Sequence, residues 1–456
     1  MGTKKVSRRD FISTVSAGTA AVLATSALPN ISKAAVRTTN ATTKLAALGG
    51  TAAVPNKVWP AWPQPNAGMY ERMTEIIKSG KWSRINNAVN GSVATFEREF
   101  AKLIGVKGSI ATGSGTQSLN TCVEALGFGP GDEIITTPYT DMGTIAAIIV
   151  SRALPIMADL DKDSFQLDPK DVERKITKNT KAIMPVHMMG QPCDMRAIMA
   201  LAKKHNLRVI EDACQAHLAE FDGKKLGTIG DVGCFSFQTS KTICCGEGGG
   251  IISNDDKILD DCYTVQNHGT NRQGQSVTIG SKYRMNELEG AILLAQLPMA
   301  IEQYERRNRN AAYLTSKLKG FPGLVPQKLY DGTNSGSFYL YTMRYNGEHF
   351  NGATRDQFIK AVSAEGIGLS PYIKNGLHRE LWTENILARR EYKTMYDKKS
   401  LQLFRDCLTL PGCDDVCANM IMLWASGPLL AEQSDMDDII KAIMKVYDNR
   451  DQLRNV

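Results

Sequence analysis

The chain has 456 residues, 43% of them hydrophobic and 22% charged, and a formal net charge of +7. That length allows two domains with a large buried core, and the composition is that of an ordinary globular protein. The first 34 residues hold five Lys or Arg and one acid, so only about +3 remains for the rest of the chain. No basic run interleaved with aromatic residues follows, which argues against a nucleic-acid partner.

The N-terminus predicts an export signal. Residues 7–12 (S-R-R-D-F-I) resemble a twin-arginine motif, and a stretch of apolar and small residues follows. A small-x-small cleavage site at residues 32–34 makes residues 1–34 a predicted signal peptide; a disordered basic tail is the alternative. The protein is then periplasmic or otherwise exported, or cytoplasmic if the signal is not used. No later segment reaches the ~18 apolar residues of a membrane span, so we expect no stable membrane anchor after cleavage.

The remaining chain predicts an extended arm and two α/β domains. Residues 35–66 are rich first in Ala and Thr and then in Trp and Pro, which is typical of an arm. Residues 67–300 alternate helices with short apolar strands, the pattern of a mostly parallel sheet. The strand candidates are residues 109–112, 133–137, 154–158, 181–187, 207–212, 233–237 and 249–253. A helix predicted over 297–318 leads into a smaller C-terminal domain, residues 301–456.

A glycine-rich turn follows the first strand. Its residues, Thr112-Gly113-Ser114-Gly115-Thr116, let backbone N–H groups approach an anion, and the next helix presents its positive end there. The spacing matches neither a P-loop nor a dinucleotide-binding turn, which disfavours a nucleotide. A plain tight turn with a helix cap explains the same residues.

Two further groups stand at the ends of later strands. Asp212 ends a buried strand, where it either meets a ligand or caps the next helix. Its neighbour Glu211 faces the other side of the sheet and is interpreted as structural. Lys241 follows a strand that contains Ser236; a desolvated amine there becomes a nucleophile and a base, whereas an isolated lysine would be a surface residue.

The ten cysteines give no C-x-x-C pair and no histidine at zinc spacing, so we predict no metal site. Their disulfide state is left open, because an exported chain could pair Cys413 with Cys417 or Cys407.

The order of turn, acid and lysine resembles fold-type I pyridoxal-phosphate (PLP) enzymes, in particular the DegT/StrS sugar aminotransferases. The likeness extends from about residue 45 to the C-terminus and includes the segments P-G-D-E-I-I (130–135), T-K-A-I-M-P-V-H (180–187), F-S-F with Lys241, and Y-R-M-N-E-L (283–288). The arm and residues 79–82 (S-G-K-W) are similar to the glutamine:scyllo-inositol aminotransferase branch.

The resemblance implies specific roles. Lys241 would form the Schiff base with PLP and Asp212 would pair with the pyridine nitrogen. Gln215 would sit near the cofactor's 3-hydroxyl, while Gly115, Thr116 and Ser236 would hold the phosphate, with Ser114 beside them. The family's homodimeric assembly implies that a partner subunit completes each site.

Three positions depart from the family pattern. Asp141 stands where an aromatic residue usually stacks on the cofactor, with Tyr139 as a substitute, and Leu218 replaces a common glycine. Lys282 stands where an asparagine often reaches the neighbour's phosphate, which a lysine can still contact.

The candidates for the substrate entrance are His187, Arg284 and the segment 370–378 of the C-terminal domain, which includes Tyr372 and His378. His187 is alternatively a packed strand-end histidine, Arg284 a structural ion pair, and His378 a solvated loop residue.

The resemblance therefore predicts amino transfer from glutamate or glutamine to a keto-sugar or keto-cyclitol. The alternatives are an exported sugar-binding or sensor protein on the same scaffold, a PLP-dependent sugar dehydratase, against which Lys241 argues, and an oxidoreductase, which lacks its dinucleotide fingerprint.

Overall fold

The computed structural model describes residues 43–456, so the predicted signal peptide lies outside the described residues. The central feature is a seven-stranded sheet in the order β1-β9-β8-β5-β4-β2-β3. Only β9 runs antiparallel to its neighbours; β8, β5, β4, β2 and β3 pair in parallel, which confirms the predicted α/β class. The strands of this sheet are β1 (Gly108–Thr112), β2 (Glu133–Thr136), β3 (Leu154–Met157), β4 (Thr180–Ile183), β5 (Arg208–Asp212), β8 (Val232–Ser236) and β9 (Gly249–Ser253).

Two small sheets complete the strands. The first joins β11 (Thr333–Ser335) to β6 (Glu220–Phe221) and β7 (Lys224–Lys225). The second is antiparallel and joins β10 (Leu324–Pro326), β12 (Leu340–Tyr345) and β13 (Met420–Trp424).

Helices cover the large sheet, and every residue of β2, β3, β8 and β9 is buried, as expected for strands covered on both faces. No helix among residues 43–456 is both long and apolar enough to cross a membrane. The helices are α1 (Ala67–Ser79), α2 (Ser92–Ile104), α3 (Gly115–Ala125), α4 (Met142–Val150), α5 (Pro169–Lys175), α6 (Met195–His205), α7 (Asp256–Gln266), α8 (Glu287–Leu318), α9 (Arg355–Ala364), α10 (Trp382–Ala388), α11 (Arg390–Met395), α12 (Lys398–Asp406), α13 (Pro411–Asn419) and α14 (Gln433–Asp448).

The predicted domain boundary at residue 300 falls inside α8. This 32-residue helix begins ten residues before the predicted helix, because Asn286 and Glu289 form a capping box at its start. Residues from β12, β13, α9 and α14 share one apolar core with the C-terminal half of α8. Residues of α10 to α13, by contrast, pack into the core of the large sheet.

Candidate active site

The carboxyl ends of β1, β5 and β8 meet at one edge of the large sheet, and each carries a predicted site residue. Asp212, at the end of β5, is only 3% exposed. Its Oδ2 accepts a hydrogen bond from Thr144 Oγ1 at 2.8 Å, and its Oδ1 accepts one from the backbone N–H of Cys214 at 3.2 Å. These two neutral donors hold the carboxylate, and no Lys, Arg or His within residues 43–456 forms an ion pair with it.

The glycine-rich turn lies beside the strand that carries Ser236. Ser114 caps α3 by accepting a hydrogen bond from the backbone N–H of Gln117 at 3.2 Å. A Cβ added to Gly115 would lie 2.8 Å from the Cβ of Ser236 and 2.9 Å from the Sγ of Cys214. The first turn of a helix leaves its N–H groups without intrahelical partners, so this turn offers donors to an anion beside the Ser236 hydroxyl. The turn and Ser236 therefore fit a phosphate group.

The Thr116 side chain lies against the start of a second helix. A Cβ added to Gly143 would be 2.4 Å from Thr116 Oγ1. Asp141 caps that helix, α4, because its Oδ1 accepts the backbone N–H of Gly143 at 2.9 Å. Asp141 therefore has a structural use at the position where the family pattern has an aromatic residue. Tyr139 is fully buried, and its ring centroid lies 6.4 Å from that of Tyr372 in an edge-to-face contact.

Lys241 lies in the loop after β8. Its Nζ is 4.4 Å from the ring centroid of Tyr339, whose hydroxyl is 3.0 Å from Ser240 Oγ. Two pKa shifts show that this amine shares one environment with the end of β5. Burial raises the pKa of the Cys214 thiol, Asp212 raises it further, and Lys241 opposes them. Burial, followed by the charges of Lys241 and Arg307, lowers the pKa of His217 to about 3.

Gln215 is buried and bridges two segments. Its Oε1 accepts the backbone N–H of Met189 at 2.8 Å, and its Nε2 donates to the hydroxyl of Tyr372 at 3.0 Å. One amide hydrogen of Gln215 remains available for a further acceptor.

Within the described residues, none of His187, Arg284 and His378 forms a hydrogen bond, an ion pair or a cation–π contact with Lys241. His187 is fully buried, and its Nδ1 accepts the backbone N–H of Cys193 at 3.2 Å. Its Nε2 then carries the proton and donates to Glu211 Oε2 at 2.9 Å. Glu211 also accepts three backbone N–H groups from residues 227–230, so this pair is a packed structural unit rather than part of an entrance.

His378 is 3% exposed and is therefore not a solvated loop residue. Its Nε2 lies 3.0 Å from Asp414 Oδ1. Burial lowers the pKa of His378, and Asp414 opposes that shift. The neighbouring Leu377 donates its backbone N–H to the carbonyl of Pro138 at 2.8 Å, which ties this segment to the loop after β2.

Arg284 donates to Asn267 Oδ1 at 3.1 Å. Burial lowers the pKa of its guanidinium, and the nearby Arg84 lowers it further. Among the described residues it forms no ion pair, so the structural ion pair considered from the sequence is not present there.

Lys282 is exposed, and the carbonyl of the adjacent Tyr283 accepts the backbone N–H of Gly113 at 2.8 Å. The C-terminal end of the loop that carries Lys282 thus lies beside the glycine-rich turn.

Sequence reasoning missed two side chains of this edge, Thr144 and Tyr339, and it proposed Tyr372 only as part of the segment 370–378 that lines the entrance. Thr144 binds Asp212, Tyr339 underlies Lys241, and Tyr372 binds Gln215. Thr144 lies in the first turn of a helix, four residues after Thr140, and belongs to no sequence motif that would have marked it. The two tyrosines come from segments 98 and 131 residues beyond Lys241, and only the tertiary fold brings them back. No group of His, Cys, Asp and Glu in the described part of the chain has the arrangement of a metal site.

The DegT/DnrJ/EryC1/StrS aminotransferase family matches residues 65–421. A putative L-glutamine:3-amino-2,3-dideoxy-scyllo-inosose aminotransferase of Streptoalloteichus tenebrarius is 33% identical over 91% of this chain and all of its own length. An L-glutamine:2-deoxy-scyllo-inosose aminotransferase of the same organism is 32% identical over 88% of this chain and 97% of its own. The crystal structure of 3-amino-5-hydroxybenzoic acid synthase is similar over 85% of this chain and 98% of its own, with a TM-score of 0.74 and 25% identity.

Proposed function

Because the chain belongs to the DegT/DnrJ/EryC1/StrS aminotransferase family, we propose that it moves an amino group from glutamine or glutamate to a keto-cyclitol or a keto-sugar. The observation that supports this proposal is the packing of the Gly115 turn against Ser236 and Cys214, next to the strand end that carries Asp212 and the strand that leads to Lys241. The names of the two relatives favour glutamine as the donor and an inosose, a keto-cyclitol, as the acceptor.

The cofactor is pyridoxal 5′-phosphate, which when bound supplies an aldehyde that condenses with amines and a ring that accepts electrons. Ser114, Gly115, Thr116 and Ser236 would hold its phosphate, because the first three form the start of α3 and Ser236 lies beside them at the end of β8. Asp212 would keep the pyridine nitrogen protonated. The free amide hydrogen of Gln215 suits the ring's 3-hydroxyl.

Lys241 is the group suited to move the proton. Its amine lies on a flexible four-carbon stem above the Tyr339 ring, where it can take a proton from the α-carbon of an amino donor and deliver it elsewhere in the site. Asp212 would act on the cofactor's ring, as a buried negative charge held still by Thr144. Since one site serves donor and acceptor in turn, steady-state kinetics should be ping-pong.

A second copy of the chain is part of the proposal. Several large apolar side chains near α1 are exposed in the single chain, including Tyr70, Ile77, Trp82, Ile85 and Val89. Monomeric proteins rarely leave such a set open to water, which supports an interface there. We propose a homodimer in which Lys282 of one subunit contacts the phosphate in the other.

We also propose export through the twin-arginine pathway, which rests on the motif at residues 7–12 and on the apolar stretch and small-x-small site that follow it. Replacing both arginines (R8K/R9K) should retain the full-length protein in the cytoplasm. If cell fractionation finds the wild-type chain in the cytoplasm at its full mass, the enzyme acts there and the signal is not used.

The acceptor is tested with the purified protein. The enzyme is first converted to its amino form with glutamine, and the excess donor is removed. A panel of keto-cyclitols and nucleotide-linked keto-sugars is then added, and the return of the cofactor's original visible absorption is followed. We expect scyllo-inosose-type compounds to restore it. Restoration by nucleotide-linked sugars alone would assign the acceptor to the other class, and restoration by none would contradict the proposed acceptors.

A further inference from the structure

The backbone of Lys241 is held by residues from distant parts of the chain. The indole N–H of Trp62, in the N-terminal arm, donates to the carbonyl of Lys241 at 3.1 Å. The Ser426 hydroxyl donates to the carbonyl of Ser240 at 3.2 Å. Two successive carbonyls are thus fixed from outside the loop, one by the arm and one by the segment after β13.

Arg307 of α8 connects these two donors. Its guanidinium lies 4.8 Å from the ring centroid of Trp62, and its Nη2 donates to the carbonyl of Ser426 at 3.2 Å. The residue is 1% exposed, and burial lowers its pKa to about 9. A buried cation without an acidic partner is costly, and no carboxylate in the described chain forms an ion pair with it. Its hydrogen bond and its cation–π contact are with the two residues that hold the lysine loop.

The arm also passes close to a glycine in the segment after β13. A Cβ added to Gly427 would lie 2.4 Å from the carbonyl oxygen of Pro60. Only a glycine lets the arm pass this close to the residue that follows Ser426. The arm is therefore seated against the same turn that supplies the second donor.

We propose that the N-terminal arm positions Lys241, with Trp62 acting through the lysine's carbonyl and Arg307 acting through Trp62 and Ser426. This inference rests on the proposed function, in which the Lys241 amine must reach successive atoms of the site. Because the Cα of Lys241 is fixed, the amine samples fewer positions. Placing it correctly at each of those atoms therefore costs less conformational entropy. On this account Trp62 and Arg307 are positioning residues.

The test compares two tryptophans of the arm. Trp62→Phe removes the N–H donor and keeps an aromatic ring for Arg307. Trp59→Phe is the matched control, because Trp59 lies in the same arm but packs against the core of the C-terminal part. The full-length protein is used, and three quantities are measured: the rate of the first half-reaction with glutamine, the donor concentration that gives half of that rate, and amide hydrogen exchange of residues 236–246 in the cofactor-free protein.

For Trp62→Phe we expect a maximal rate about three- to tenfold lower, the equivalent of one neutral hydrogen bond, with an unchanged half-saturating donor concentration. Exchange of residues 236–246 should be faster. Trp59→Phe should match the wild type in all three. As a second variant, Gly427→Val should displace the arm and reproduce both changes while the cofactor remains bound.

Equal rates and equal exchange in Trp62→Phe and Trp59→Phe would overturn the inference. A loss of thermal stability in Trp62→Phe with wild-type exchange and rate would likewise overturn it, since the contact would then serve the fold alone. If the wild-type protein does not react with glutamine or glutamate, the proposed function fails, and the exchange measurement still decides whether the arm holds the loop.

Discussion

Asp212 is held by Thr144 and by the Cys214 amide, both uncharged, so its negative charge is left for a ligand. Asp212→Asn keeps the size of the side chain and removes that charge. We expect the rate with glutamine to fall by about 10²- to 10³-fold, the usual effect of losing one preorganised electrostatic contact, with the thermal unfolding temperature nearly unchanged. Asp168→Asn is the control, because Asp168 caps α5 and asparagine caps equally well.

His217 makes stability depend on pH. Its ring is 2% exposed, with centroids 5.4 and 5.6 Å from those of Phe235 and Phe237, and its folded pKa is about 3. In the unfolded chain the pKa is about 6.5, so between these values the unfolded state binds a proton that the folded state does not. Stability is therefore lost as the pH falls below about 6.5, by about 2 kcal/mol at pH 5.

This prediction is tested by urea unfolding of the cofactor-free protein at pH 7.5 and pH 5. His217→Phe should lose less stability than the wild type over this interval, although its stability at pH 7.5 is lower because the bond to Thr242 is gone. His268→Gln, at an exposed position, should retain the wild-type difference. The same pH difference in His217→Phe and wild type would show that His217 does not carry it.

At the scale of the elements, the contact of α3 with β8 decides whether a phosphate can bind. Gly115→Ala would place a methyl group 2.8 Å from the Cβ of Ser236. The turn would shift to relieve a clash of about 1–3 kcal/mol, and because the phosphate needs the unshifted turn, binding would have to restore that strain; we therefore expect the affinity for PLP to fall about 5- to 150-fold. Gly368→Ala is the control, since a Cβ there meets nothing within 4 Å. Titration of the cofactor-free variants with PLP measures both, and equal affinities would contradict the phosphate assignment.

Most elements of the large sheet could be predicted from the sequence, because its strands are short apolar segments separated by periodic helices. The strand predicted over 181–187 ends at Ile183 instead. Pro185 has no N–H for the ladder, and pairing resumes only as an isolated bridge between Val186 and Asp212. The start of α8 was missed for a related reason: Pro298 stands inside the helix, and the capping box at Asn286 lies far before it.

At the scale of the whole molecule, the boundary predicted at residue 300 groups the helices between residues 382 and 419 with the C-terminal domain, although they pack against the large sheet. They follow the predicted domain boundary, yet Tyr396 donates to the carbonyl of Arg152 at 2.8 Å and Phe404 packs in the large core. Helical periodicity shows which face of a segment is buried, but not which core receives it. For the same reason Lys241 and Asp212 could be proposed from their strand ends, whereas Trp62, Tyr339 and Arg307 could not.

The proposed dimer places a second chain at each site. Lys282→Ala should lower the affinity for PLP, by about 1 kcal/mol or more for a lost charge-assisted contact, without changing the oligomeric state. Lys102→Ala, at another exposed position, should leave the affinity unchanged. Sedimentation of the wild type as a monomer that binds PLP with full affinity would contradict the shared site.

The most direct test of the central claim is the visible spectrum of the purified protein and of Lys241→Ala, each mixed with PLP and then with glutamine or glutamate. We predict that the wild type shows a visible cofactor band that the donor bleaches, and that borohydride reduction attaches the cofactor's mass to the peptide containing Lys241. The variant should show neither. A wild-type protein that takes up no PLP, or a variant that transfers the amino group at the wild-type rate, would contradict the account.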